Sequence, residues 1–174
     1  PQTSGSPPQI EVHPVASARN TARVIAAMSR TVDGSGSAYV IGITFSAEND
    51  FPVTVGPDLS YNEELDVFVT KVDPSGAALV YCGYIGGSGD DYGYGIAVDG
   101  SGCAYVSGDT DSTQDTFPVL IGPDLIFNGA YDAFVAKIDS SGAELLYCGY
   151  IGGSGGDWAP GIAVDSTGNA YVTG

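Results

Sequence analysis

The sequence predicts an all-β protein made of repeated four-stranded antiparallel sheets, about two and a half of them in 174 residues. Three observations carry that prediction. Asp66–Gly108 aligns with Asp132–Gly174 at an offset of 66 residues without a gap, and 29 of the 43 positions are identical. Short runs that are apolar on both faces alternate with turns rich in Gly, Ser and Asp. The composition agrees, since 26 Gly and 11 Tyr against 5 Lys plus Arg suit short strands and tight turns.

Residues 1–30 stand outside the repeat and read as a separate head. Within the head, Ala16–Ser29 (ASARNTARVIAAMS) suits either a short helix or a degenerate first strand. The repeat region, residues 31–174, divides into units over roughly 31–94 and 95–160 with a partial unit over 161–174. The first unit is a weaker copy: Val32–Gly36 matches Val98–Gly102, Ala38–Val40 matches Ala104–Val106, and Phe51–Val53 matches Phe117–Val119. Gly56–Leu59 likewise matches Gly122–Leu125.

Within a unit, Gly95–Asp99 is a continuous apolar run, as expected of a strand covered on both faces. Asp99–Gly102 is a hairpin turn of residues that tolerate positive φ, and Cys103–Gly108 is the second strand. Asp132–Asp139 is the third, with Ala133, Val135 and Lys137 on one face and Phe134, Ala136 and Ile138 on the other. Ser140–Gly142 turns the chain into a fourth strand, Glu144–Ile151. A sheet with two apolar faces has to lie between other sheets, which makes these units the blades of a β-propeller.

The strings DAFVAKIDSSG (132–142), LLYCGYIGGSG (145–155) and GIAVDSTGNAYVTG (161–174) resemble the bacterial SBBP-type β-propeller repeat, over roughly residues 31–174. The resemblance implies a propeller, conventionally seven-bladed, of secreted or surface proteins, and it brings no catalytic residues with it. Two and a half units fall short of the roughly 4–8 blades that close a propeller. Either the chain belongs to something longer, or several copies complete one another as a ring or a filament.

Charge narrows the partners. The formal net charge is −16, and it is unevenly spread: the head holds Arg19, Arg23 and Arg30 against Glu11 alone, while the repeats hold Lys71 and Lys137 against all the other acids. Such a field repels phosphate backbones, so nucleic acid is excluded as a partner and cations or basic surfaces are favoured. No apolar run approaches the roughly 20 residues of a membrane helix, so membrane insertion is not expected. Cys82, Cys103 and Cys148 form an odd set with neither disulfide-framework nor metal-site spacing. Low Lys content and a Gly-, Ser-, Thr- and Asp-rich surface favour an extracellular or cell-surface setting.

Each motif has a structural reading beside a functional one. Gly86–Gly93 and Gly152–Asp157 resemble phosphate loops but lack a following helix and a nearby Lys, so they read as connections from one blade to the next. The long loops 42–65 and 108–131 repeat their Phe-Pro-Val and Gly-Pro-Asp-Leu strings and the aromatics Tyr61 and Phe127, so they are ordered and are the natural places for binding. Asp109, Asp111 and Asp115 form the candidate Ca²⁺ cluster, although the loop is not an EF-hand and the preceding unit has Ile43, Phe45 and Asn49 there. Asp33, Asp99 and Asp165, like Asp73 and Asp139, read as turn caps. The single histidine, His13, lies in the head without a partner, and Cys82 and Cys148 read as small buried hydrophobes.

The function that follows is a non-enzymatic extracellular structural or interaction protein that assembles with copies of itself, the basic head docking on an acidic neighbour. No cofactor is expected, Ca²⁺ at the aspartate cluster apart. A glycan- or protein-binding adhesin or lectin-like module using loops 42–65 and 108–131 is the alternative. A hydrolase or lyase domain on a propeller is a third, with no residue spacing in its favour.

Overall fold

The computed structural model describes residues 24–174, with side chains from residue 28 onward. The described residues are all-β, with antiparallel four-stranded sheets that stack in an open array. The first blade comprises β1 (Val24–Val32), β2 (Ala38–Thr44), β3 (Asp66–Val72) and β4 (Leu79–Ile85), hydrogen-bonded in that order. The second repeats it with β5 (Asp91–Val98), β6 (Ala104–Thr110), β7 (Asp132–Ile138) and β8 (Leu145–Ile151). A two-stranded ribbon, β9 (Gly161–Val164) and β10 (Ala170–Thr173), begins a third.

The strands fall where the repeat puts them, with two corrections. Ala16–Ser29 contributes a strand, because β1 begins at Val24 and pairs with β2 from Val24↔Thr44 to Val32↔Ala38. The first sheet therefore starts inside the segment read as a head, since β2 needs a partner for its inner edge and the chain just before it supplies one. Residues 16–23, His13, Arg19 and Arg23 lie outside the described residues. The first strand of the second blade also starts earlier than the apolar run suggests, at Asp91, through a register shift between Gly93 and Gly95. Gly93 stands where β5 presses on the first blade: a Cβ there would come within 2.6 Å of Val67 Cγ1 and 2.8 Å of Ile41 Cδ1.

The two faces of each sheet take different partners. On the first blade, Tyr39, Ile41, Val67, Val69, Tyr81 and Ile85 face forward and are buried. Against them pack Val106, Phe134, Ala136, Ile138 and Tyr150 from the rear face of the second blade, which makes one core shared between two sheets. The rear face of the first blade carries Phe68, Cys82 and Tyr84 and is covered by Phe51 from its own long loop. Strand β5 lies across β1, β2 and β3, and β9 lies across β5 and β6 in the same manner. Apolar burial between sheets thus stabilises the array, and no blade covers both of its own faces.

Tight turns close the hairpins. Gly36, Gly102 and Gly168 take φ of +90°, +82° and +87°, a region only Gly enters cheaply. The preceding Asp33, Asp99 and Asp165 accept backbone N–H bonds from residues two and four positions on. These aspartates are turn caps, as their recurrence implies. Among the described residues no helix is long and apolar enough to cross a membrane.

Candidate functional site

The surfaces between blades hold the only lysines of the chain, each in the same node. Cross-strand pairing sets Tyr39 opposite Lys71 and Tyr105 opposite Lys137. Lys71 Nζ lies 3.8 Å from Asp33 Oδ2 and 4.9 Å above the Tyr39 ring, and Lys137 Nζ lies 3.5 Å from Asp99 Oδ2 and 4.6 Å above Tyr105. Each tyrosine also reaches the next blade. The Tyr39 hydroxyl is shared between Asp33 Oδ2 (3.0 Å) and the Gly102 carbonyl (3.1 Å), and Tyr105 repeats this with Asp99 (3.0 Å) and Gly168 (3.2 Å). Hydrogen bonding to Ser35, above all, holds the Asp33 carboxyl down at about 2, so it stays a carboxylate facing the ammonium group.

The described residues hold the Asp165 and Tyr171 part of a third node. Tyr171 bonds Asp165 at 3.1 Å but is 58% exposed, and no cation sits opposite it among the described residues. Two further observations concern the same face among the described residues. Among the described residues β10 pairs with β9 alone. The forward face of the second blade is also less covered than its counterpart: Ile85 is fully buried, whereas the equivalent Ile151 is 39% exposed. A groove runs between that face and the ribbon, lined by Val135, Tyr147, Ile151, Ala170 and Val172, with Trp158 at one end.

The long loops are rim structures first. Residues 54–58 run beside β4, with Cys82 N–H donating to the Val55 carbonyl (2.8 Å) and Tyr84 N–H to that of Asp58 (2.9 Å). Residues 120–124 do the same on β8 through Cys148 (2.9 Å) and Tyr150 (2.8 Å). Each outer edge is thereby capped against further pairing. The close approach needs glycine on both sides, since a Cβ on Gly83 would stand 2.5 Å from Gly56 Cα. Phe117 stacks 5.5 Å from Tyr150 and 5.2 Å from Phe134, as Phe51 does on Tyr84 and Phe68. The second loop still leaves Leu120, Ile121 and Ile126 exposed.

Asp109 and Asp111 lie close enough for the Asp111 charge to help raise Asp109, but they form no three-residue metal group with Asp115. Asp109 is buried in β6, Asp111 Oδ1 accepts the Asp90 N–H at 2.7 Å, and Asp115 is exposed on a turn. No group of three His, Cys, Asp or Glu side chains suited to a metal ion occurs among the described residues. Strand pairing holds Asp109 inside the sheet while the blade connection engages Asp111. Cys82 and Cys148 are buried, and burial pushes the Cys148 thiol up to about 12, which keeps it protonated.

Sequence reasoning missed a set of buried carboxylates at the blade junctions. Asp66, Asp91 and Asp132 are fully buried, and burial raises Asp66 and Asp91 to about 7. Their common signal was available, because Asp66 recurs as Asp132 and Asp91 as Asp157 at the 66-residue offset.

A family model for the SBBP beta-propeller repeat matches residues 81–114 and 149–174. These two segments carry the SBBP β-propeller repeat. Both matched segments begin in the fourth strand of a blade and run through the connecting loop into the next, so the SBBP repeat straddles the interface just described. A comparison with curated proteins gave no match.

Proposed function

We propose that this SBBP-repeat protein is a non-enzymatic structural or interaction protein of the extracellular space, and that it assembles with copies of itself by completing the open blade. The observation that carries the reading is the node repeated at each blade interface: Tyr39 and Tyr105 each bond the next blade beside a Lys–Asp pair, and Asp165 with Tyr171 presents the same surface again. In both finished nodes the strand beside the tyrosine brings a cation opposite it. By the same pattern, a partner for β10 would be an extended segment with a basic side chain.

The basic N-terminal segment of a second copy fits that description, because it carries Arg19 and Arg23 and the body is strongly acidic. One surface docking on a different surface of the next copy gives a ring or an open filament. The test is native mass by sedimentation velocity at several concentrations. Removing residues 1–23 should leave a folded chain that no longer associates, and Val172→Asp in the groove should act likewise. A wild-type chain that stays monomeric at high micromolar concentration, or a truncated one that associates normally, would overturn the reading. The truncation has to stop before Val24, where β1 begins.

A second reading has its own support. Leu120, Ile121 and Ile126 are exposed apolar side chains on the second long loop, which suits a surface that meets a partner. It is a glycan- or protein-binding module, and specific retention on a glycan or surface-protein array, abolished by Ile121→Ser with Ile126→Ser, would favour it.

A further inference from the structure

Each blade junction contains a carboxylate oxygen without a hydrogen-bond partner among the described residues. Asp66 Oδ2 accepts the Asn62 N–H at 3.0 Å, but Asp66 Oδ1 is buried and unbonded. Asp132, its equivalent, accepts the Asn128 N–H on Oδ2 at 2.8 Å and also leaves Oδ1 buried and unbonded. A fully buried oxygen carrying negative charge and lacking a donor is costly, and finding the same one twice at the repeat offset argues against accident.

The orphan oxygens point at other oxygens. At the first junction, a Cβ on Gly86 would stand 2.2 Å from Asp66 Oδ1 and 2.9 Å from Asp91 Oδ2, so two carboxylates converge on one glycine. Asp91 takes its own donors from Gly87 N–H (2.7 Å), Ser112 Oγ (3.2 Å) and the Thr110 hydroxyl. At the second junction, a single point beside Gly129 lies 2.9 Å from Asp132 Oδ1, 2.6 Å from the Gly153 carbonyl oxygen and 2.2 Å from that of Gly155. The Gly155 carbonyl also accepts the Ala130 N–H at 3.1 Å, and Asp157 Oδ2 accepts the Gly153 N–H at 2.8 Å, as Asp91 does from Gly87. Acceptors gathered this closely repel one another unless something positive lies among them. Lys71 and Lys137 are engaged elsewhere, with Asp33 and Asp99.

We infer that each junction is a Ca²⁺ site, the ion held by Asp66 with Asp91 at the first, and at the second by Asp132 with Asp157 and the carbonyls of Gly153 and Gly155. Carboxylate and backbone carbonyl oxygens in an irregular loop are the donor set of Ca²⁺, whereas Mg²⁺ demands a regular octahedron and keeps more water. The ion joins the third strand of one blade to the connection entering the next, and so ties neighbouring blades together. The candidate loop cluster of Asp109, Asp111 and Asp115 has no part in it.

The alternative occupant is a proton, and thermal unfolding of the full chain separates the two. After EDTA treatment at pH 8, Ca²⁺ should raise Tm by roughly 5–10 °C at about a hundredfold excess over Kd, and Mg²⁺ by less. At pH 5 the rise should shrink, because protons compete for the buried Asp66, Asp91 and Asp132, with Asp58 and Asp124 adding to the local negative charge. Asp132→Asn should lose the second site and much of the rise, while Asp111→Asn should keep it. Calorimetric titration of the wild-type chain gives the same decision should a variant fail to fold, with one ion expected per junction. Binding heat and a Tm rise support the inference. Absence of both, or a Tm raised by Asp132→Asn in EDTA with Ca²⁺ inert, identifies the occupant as a proton and overturns it. Either result stands apart from whether copies of the chain associate.

Discussion

Tyr39 and Tyr105 each give a hydroxyl to an aspartate and to a carbonyl of the following blade, whereas Tyr171 bonds only its own aspartate among the described residues. Tyr39→Phe or Tyr105→Phe should therefore cost about 0.5–1.5 kcal/mol in denaturant unfolding, and Tyr171→Phe close to nothing in the unassembled chain. Equal costs at all three would detach the hydroxyl from blade coupling. Gly149→Ala should be worse, since a Cβ there meets the Asp124 carbonyl and Gly122 Cα, each at 2.7 Å; about 1–3 kcal/mol is expected from the forced separation of loop and β8. Asp66 gives a pH dependence of definite sign. Burial raises it to about 7 in the folded chain, against roughly 3.9 when unfolded, so the folded state binds more protons between those values. In EDTA, stability should fall as pH rises from about 4 to about 7, and Asp66→Asn should flatten that slope. An unchanged slope in the variant would show that Asp66 does not titrate there. The turn aspartates were legible in the sequence because a cap acts on its own neighbours. Asp66 and Asp91 were not, because burial of an acid depends on the sheet that arrives from elsewhere.

At the scale of elements, the repeat made nearly every strand readable. Two apolar faces in Asp132–Ile138 could be satisfied only between sheets, and the shared core supplies them. The reading left β1 open between helix and strand and missed the start of β5, because there backbone pairing outweighs side-chain pattern. β1 is ordered by its ladder with β2, and Asp91–Tyr94 looks like loop because its glycine is there for close approach to Ile41 and Val67. The loops also turned out to add an edge to each blade, a role hidden in sequence because it rests on main-chain bonds. Replacing residues 113–129 by a short Gly-Ser link should bare β8. Light scattering should then rise below the unfolding temperature, and a variant as soluble as the parent would mean the loop does not guard that edge.

For the whole molecule, covering one blade by the next stabilises the array, and the proposed assembly has its forward face accept the same kind of cover. The strongly acidic body, the basic N-terminal segment and the uncovered Ile151 and Tyr171 all bear on that claim. Hydrogen exchange across a concentration series tests it most directly. In dilute solution β6 and β7, enclosed between sheets, should be the slowest strands, and β9, β10 and the outer part of β8 much faster. Raising the concentration should slow β10 and the Ile151 end of β8 and leave β6 unchanged. A ribbon already as protected as β6 when dilute, or one whose exchange ignores concentration, would contradict the account.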